Sequence, residues 1–184
     1  MNATLQYCWH KLLSVYGGCD ITVVGTTVAG RNLPVNNIEN SVGLYINTLP
    51  VIFEHRSASV IKLIQELQDG INEINSRSDV SLANLQSGGS RLFNSLFVFE
   101  NYPMEDQKDN DELALKVEES IEKIDYPLGI TAFEQEDKMI VKLQYAGEIF
   151  DERMMKQLID GIGLLLNQLT DHPTINSSEL LLLS

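Results

Sequence analysis

Apolar residues recur along this chain in two rhythms that alternate. Near the N-terminus Leu5, Trp9, Leu12, Leu13 and Tyr16 fall at helical intervals, and Gly17-Gly18 ends the run. A β-branched stretch, "ITVVGTTVAGR", then reads as a strand ending at Gly30, and the polar Pro/Asn segment 32–40 reads as a loop. The next run, "SVGLYINTLPV" (41–51), has the composition of a strand greasy throughout, yet it holds Asn47 and Thr48 and then Pro50, which should stop it. Asn is depleted in strands, and a buried carboxamide costs free energy unless its hydrogen-bonding groups are paired. Either the fold or a ligand has to supply the partners.

Beyond it, Val60, Ile61, Ile64, Leu67, Ile71 and Ile74 form an amphipathic stripe that predicts a helix over 58–74. "NSLFVFENYP" predicts a third strand closed by Pro103, and "MEDQKDNDE" an acidic surface loop. Leu113, Leu115 and Val117 alternate, as in a strand fading into an acidic segment or in a short helix. Residues 127–150 read as a hairpin around "EQEDK". Asp151 is placed to cap a final helix, with Phe150 stapling onto Met155 and Met155, Leu158, Ile162, Leu165, Leu166 and Leu169 on its buried face. Gly161 and Gly163 suggest close packing of that helix on a sheet. "DHPTINSSELLLLS" is a Pro/Ser-containing tail with an apolar end. Interleaved helices and strands with hairpins predict an α/β or α+β class, with one mixed sheet packed by helices.

The 184 residues suffice for one domain with a core, or for a large part of a bigger one. With 26 acidic against 13 basic residues the formal charge is −13, which disfavours nucleic acid and anionic membranes and favours small molecules or proteins as partners. No apolar run reaches the length of a membrane span and no N-terminal leader pattern appears, so a cytoplasmic location is expected. Cys8 and Cys19 lack CxxC spacing, as in a reduced compartment. His10, His55 and His172 share no metal-ligand spacing, although a Ser-His-Asp assembly stays open because its members need only meet in space. "SGGSR" (87–91) lacks the lysine of a phosphate cradle.

Motif order carries the reading further. "VGLYINTLPV" resembles the Ile/Val-Gly-x-Phe-Val-Asn-Thr motif of nonribosomal peptide synthetase condensation domains, with Val42, Gly43, Ile46, Asn47, Thr48, Leu49 and Pro50 fitting and Tyr45 where Phe is usual. "RSDVSLANLQ" resembles a worn form of a later motif, keeping Asp79 and Val80. "SRLFNSLFVFENYP", the hairpin with its following helix, and "SSELLLLS" follow in family order. The family's His-His-x-x-x-Asp-Gly motif occurs nowhere in these residues.

The resemblance implies a chloramphenicol acetyltransferase-like fold, of which residues 1–184 would be the C-terminal lobe, with 175–184 beginning a linker to an adenylation domain. It implies peptide-bond formation between thioesters carried on phosphopantetheine arms of donor and acceptor carrier proteins, in a tunnel shared with an N-terminal lobe. This lobe itself would bind no cofactor, hold no catalytic group and be inactive alone. The alternatives are a noncatalytic carrier-protein docking module and the related epimerisation domain, against which "NTLP" speaks. The residues expected near the tunnel are Gly43, Tyr45, Asn47, Thr48 and Arg31, with Glu100 and Asn101 at its mouth. For Asn47 two roles are weighed evenly: a tunnel-facing amide free to meet substrate, or a pin for a neighbouring strand or loop. Thr48 reads as a strand residue with a satisfied hydroxyl, Tyr45 as a core aromatic, Gly43 as a site of close backbone approach, and Arg31 as a surface charge or a cross-lobe pair. The face toward the other lobe should expose apolar surface.

Overall fold

Helix α1 (Asn2–Gly17) is the centre of the molecule rather than one of its walls. Ala3, Leu5, Tyr7, Cys8, Trp9 and Leu12 are all buried, and so are the polar Gln6 and His10. A helix buried on nearly every side has neighbours all round it; here they are α2, α4 and the sheet. Gly18 ends it in the left-handed conformation at φ 60°, with backbone amides closing on Ser14 and Val15. The computed structural model describes residues 1–30, 36–86, 89–100, 124–135 and 138–182. The acidic 104–112 segment, the alternating 113–117 segment, Asn101 to Pro103 and Arg31 lie outside them.

Among the described residues the sheet has five strands in the order β2-β1-β3-β4-β5: β1 (Ile21–Ala29), β2 (Ile46–Glu54), β3 (Ser95–Glu100), β4 (Leu128–Gln135) and β5 (Lys138–Tyr145). Strands β1, β3 and β4 run parallel, and antiparallel β2 and β5 form the two edges. This is the mixed sheet expected from the alternation of elements. Helix α2 (Val60–Ser76) makes the crossover from β2 toward β3, with a four-residue turn of helix, α3 (Leu82–Leu85), after it. The last helix, α4 (Glu152–Asp171), returns over the core.

Strand alternation sorts the sheet into two faces. Val24, Val51, Phe53, Phe97, Ile130 and Ala132 point at the helices and join Leu63, Leu67, Leu158, Ile162 and Leu165 in one core. Gly25, Pro50, Leu96, Gly129 and Gln144 line up in register on the other face. There Phe93, itself buried, lies where a side chain on Gly25 would be, and it stacks on Tyr126 at 5.1 Å between centroids.

Asp151 caps α4 as expected, its Oδ1 accepting from the amides of Arg153 (2.9 Å) and Met154 (3.3 Å). Gly161 does permit a close approach, but to α1 and not to a sheet. A Cβ there would sit 2.8 Å from Leu12 Cδ2, whereas Gly163 faces open space. The tail does not leave directly. Asn176 bridges to Ser59, Val60 N donates to Ile175 O, and Ser177 hydrogen-bonds Arg56 and Ala58, so residues 175–177 clip onto the start of α2. Leu180 then enters the core, and Gln168 of α4 exchanges two hydrogen bonds with the Leu181 backbone.

Candidate functional site

The two anomalous residues of the 41–51 run are explained by the sheet edge. Strand β2 begins at Ile46, not at Ser41, because β1 ends opposite it. The last rung is Gly30 N donating to Tyr45 O at 2.8 Å, and a side chain on Gly30 would collide with that carbonyl. Nor does Pro50 stop the strand, which runs on to Glu54. An edge strand tolerates proline at a position whose N–H would point away from the sheet. Thr48, two residues earlier, has the same backbone orientation, and its N–H is taken by Asn47 Oδ1 at 2.8 Å. Asn47 and Pro50 thus close two outward positions on one open edge.

The other half of the Asn47 amide is equally committed. Its Nδ2 donates to Ser78 O (2.9 Å) and to Val80 O (2.7 Å). Asn47 is half-buried on the helix side of the sheet, and its carboxamide grips the backbone on both sides of Asp79. The two stretches that resemble family motifs, 42–51 and 77–86, are therefore joined by one side chain. Of the two roles weighed for Asn47, the geometry is that of a pin. An amide left free for a ligand is not what this structure contains, because both amide hydrogens and the oxygen have backbone partners.

Tyr45 is half-buried rather than in the core, with its hydroxyl 2.6 Å from Ser41 Oγ. Gly43 is exposed, and the three described atoms nearest to a Cβ on it all belong to the Tyr45 side chain, the first at 3.2 Å, rather than to backbone. Thr48 pairs with Thr27 on the face opposite Asn47, so alternation separates the two adjacent motif residues. Glu100 is half-buried at the end of β3, opposite Phe133. Arg31 and Asn101 lie outside the described residues. Gly43, Tyr45 and Asn47 are thus drawn together at the end of β1 and β2, next to an apolar rim in which Val42 is fully exposed and Leu44 is 87% exposed.

A cavity of about 450 Å³ lies at the opposite end of the sheet, between α1, α4 and the first residues of β1, and contains none of these residues. Among the described residues no cluster of three His, Cys, Asp or Glu side chains could hold a metal ion.

The sequence reading missed a polar seam inside the core. Gln6 Nε2 donates to Thr26 Oγ1, Trp9 Nε1 donates to Ser95 Oγ at 2.8 Å, and His10 Nδ1 lies 2.6 Å from Thr22 Oγ1. Thr22 Oγ1 is in turn 2.9 Å from His55 Nε2. Burial, and then the charge of His55, lower the His10 pKa to about 3. Burial and Lys11 lower that of His55 to about 4, against the pull of Asp20. The available signal was a double period: Gln6 and His10 are four apart on a helix, Thr22 and Thr26 four apart on a strand.

Residues 1–184 match the family model described as Condensation domain. The chain belongs to the condensation-domain family of nonribosomal peptide synthetases. It is 44% identical over 181 residues to N-(5-amino-5-carboxypentanoyl)-L-cysteinyl-D-valine synthase of Amycolatopsis lactamdurans, covering 93% of this chain and 5% of that protein's length. Its fold matches the starter condensation domain of rhizomide synthetase with a TM-score of 0.75 at 13% identity, over 100% of this chain and 44% of that one. It likewise matches a complex of the X-domain and OxyB from teicoplanin biosynthesis, with a TM-score of 0.76 at 21% identity, over 100% of this chain and 43% of that one. Condensation domains have a chloramphenicol acetyltransferase-like fold, and the mixed five-stranded sheet with its helices is that fold here. No described helix is long and apolar enough to cross a membrane.

Proposed function

We propose that residues 1–184 act as the C-terminal lobe of a peptide-bond-forming condensation domain and work only with an N-terminal lobe that carries the His-His-x-x-x-Asp-Gly motif. The observation that carries this reading is proportion: the whole of this chain superposes on 44% of a solved condensation domain. In the reaction an acceptor amine on one carrier protein attacks the thioester carbonyl on the other. The C–N bond forms, the C–S bond breaks, and the departing thiol takes up the proton that the amine gives up. The phosphopantetheine arms belong to the carrier proteins and enter as part of the substrates. General acid–base work needs a titratable group within hydrogen-bond reach of that proton. Neither Asn47 nor Thr48 titrates, and Asn47 has no hydrogen to spare.

The work of this lobe is accordingly to build one wall. Asn47 is a positioning residue that holds backbone 78–80 against β2, and the exposed Val42, Leu44 and Ile46 offer the other lobe an apolar contact. The test is reconstitution: this chain, fused to or mixed with a matching N-terminal lobe, should transfer a donor aminoacyl group onto an acceptor-loaded carrier, and the chain alone should not. Turnover by the chain alone refutes the lobe assignment. Failure of a folded two-lobe preparation, combined with tight binding of carrier by this chain alone, would favour the docking module.

A further inference from the structure

His10 and His55 are linked through a single hydroxyl. Thr22 Oγ1 lies 2.6 Å from His10 Nδ1 and 2.9 Å from His55 Nε2. A hydroxyl has one hydrogen, so it can donate to only one ring, and accepting from both would leave that hydrogen without a ring partner. His10 is fully buried, and its second nitrogen, Nε2, is buried without a partner among the described residues. Two neutral arrangements bond both rings to Thr22 and also pair the hydroxyl's own hydrogen within the triad. In one, His10 Nδ1–H donates to Thr22, which donates to His55 Nε2, and the orphaned His10 nitrogen is a bare lone pair. In the other, every bond runs the opposite way and the orphan is a buried N–H. Unpaired buried N–H groups are the rarer defect in proteins, so the first arrangement holds at neutral pH.

We propose that Thr22 makes the two histidines one proton-coupled unit, in which protonation of His55 at the surface reverses the hydroxyl and drives buried His10 into its Nε2–H tautomer. A proton arriving on His55 Nε2 makes that atom a donor. Thr22 then accepts from it and pairs its own hydrogen on His10 Nδ1, while His10 releases its Nδ1 hydrogen to water and takes one up at Nε2 during transient opening of the site, an exchange that leaves its charge unchanged. No net proton is added to His10, whose burial keeps it neutral. The Phe53 ring lies against both imidazoles, 5.6 Å from His10 and 4.9 Å from His55, and packs the unit from the β2 side.

Among the described residues the charged and titratable groups near the pair are few. Lys11 of α1 and Asp20 of the turn before β1 act on His55 with opposite signs. Within α1, Tyr7 and Cys8 are held neutral by burial. Next to His55 along the chain, Glu54 is exposed at the end of β2 and Arg56 is committed to Glu66 of α2. Helix α4 meets α1 through Gly161 and Leu12.

Long-range ¹H–¹⁵N correlation spectra of the 184-residue chain distinguish the two tautomers, because the nitrogen without hydrogen resonates far downfield. At pH 7 that nitrogen of His10 should be Nε2. H55K, which places a permanent donor beside Thr22, should transfer the downfield signal to Nδ1 at the same pH. H55E, which places a permanent acceptor there, should leave it on Nε2. In the unmodified chain the same transfer should follow the titration of His55 as pH is lowered, and T22V should abolish it. A His10 tautomer that is the same in H55K and H55E, or that still follows His55 in T22V, overturns the proposal.

Discussion

Replacing Asn47 by alanine removes three hydrogen bonds at once: two donated to Ser78 O and Val80 O and one accepted from Thr48 N. An intramolecular hydrogen bond contributes about 0.5–1.5 kcal/mol net, so the three together bound the loss at roughly 1.5–4.5 kcal/mol. Water can reach part of this site, since Asn47 is only half-buried and Val80 is partly exposed, and it will re-satisfy some of the released groups. We therefore expect N47A to lose about 2 kcal/mol, which for a domain of this size corresponds to about 4–8 °C in Tm. N47D keeps an acceptor for Thr48 N but sets a carboxylate oxygen against the two carbonyls that accept from the Asn47 amide nitrogen, so it should be less stable than N47A at pH 7. Urea denaturation followed by circular dichroism measures both. Hydrogen exchange should localise the loosening to residues 78–85 and to the Thr48 amide. In a reconstituted domain, activity should fall together with stability. An N47A protein within about 0.5 kcal/mol of the parent, yet inactive when reconstituted, would refute the pin and restore the substrate-facing amide.

G25A should cost about 1–3 kcal/mol, because its methyl falls inside the Phe93 ring and must dislodge it from Tyr126; near-UV circular dichroism will show the altered aromatic packing. G163A should gain about 0.5–1 kcal/mol from helix propensity, as nothing lies within 4 Å of the new methyl, whereas G161A should gain less because Leu12 must give way; paired denaturation curves decide it. Stability should be fully present above about pH 6.5 and decline as pH falls from there toward 3. Unfolded histidine protonates near 6.5 while folded His10 does so only near 3, so between these values the unfolded state binds the extra proton. The slope should approach about 1.4 kcal/mol per pH unit from His10, with a smaller, solvent-screened addition from His55, and H10Q should flatten it in denaturation curves taken between pH 5 and 8.

Local pattern determined most of the elements. The stripes of α2 and α4, the Gly17-Gly18 stop of α1 and the Asp151 cap are short-range features, in which each residue's role depends on neighbours a few positions away. The β4–β5 hairpin pairs strands consecutive in the chain, with partners at most the 17 positions from Leu128 to Tyr145 apart, and each of these features lies where the pattern places it. Motif order went further and pointed to the condensation-domain family. What local pattern could not determine was which strand would be an edge. Pro50 looks like a terminator until β2 is seen to have one open side, and Asn47 looks like a residue awaiting a ligand until 78–80 is folded against it, 31 residues away in the chain. The burial of α1 was equally out of reach. Gln6 and His10 are ordinary surface types in a helix with one apolar stripe, and only the simultaneous approach of α2, α4 and the sheet takes them out of water. Partners for such groups come from strands elsewhere in the chain, so tertiary structure alone decides whether a polar residue is exposed, paired or left with an orphaned nitrogen.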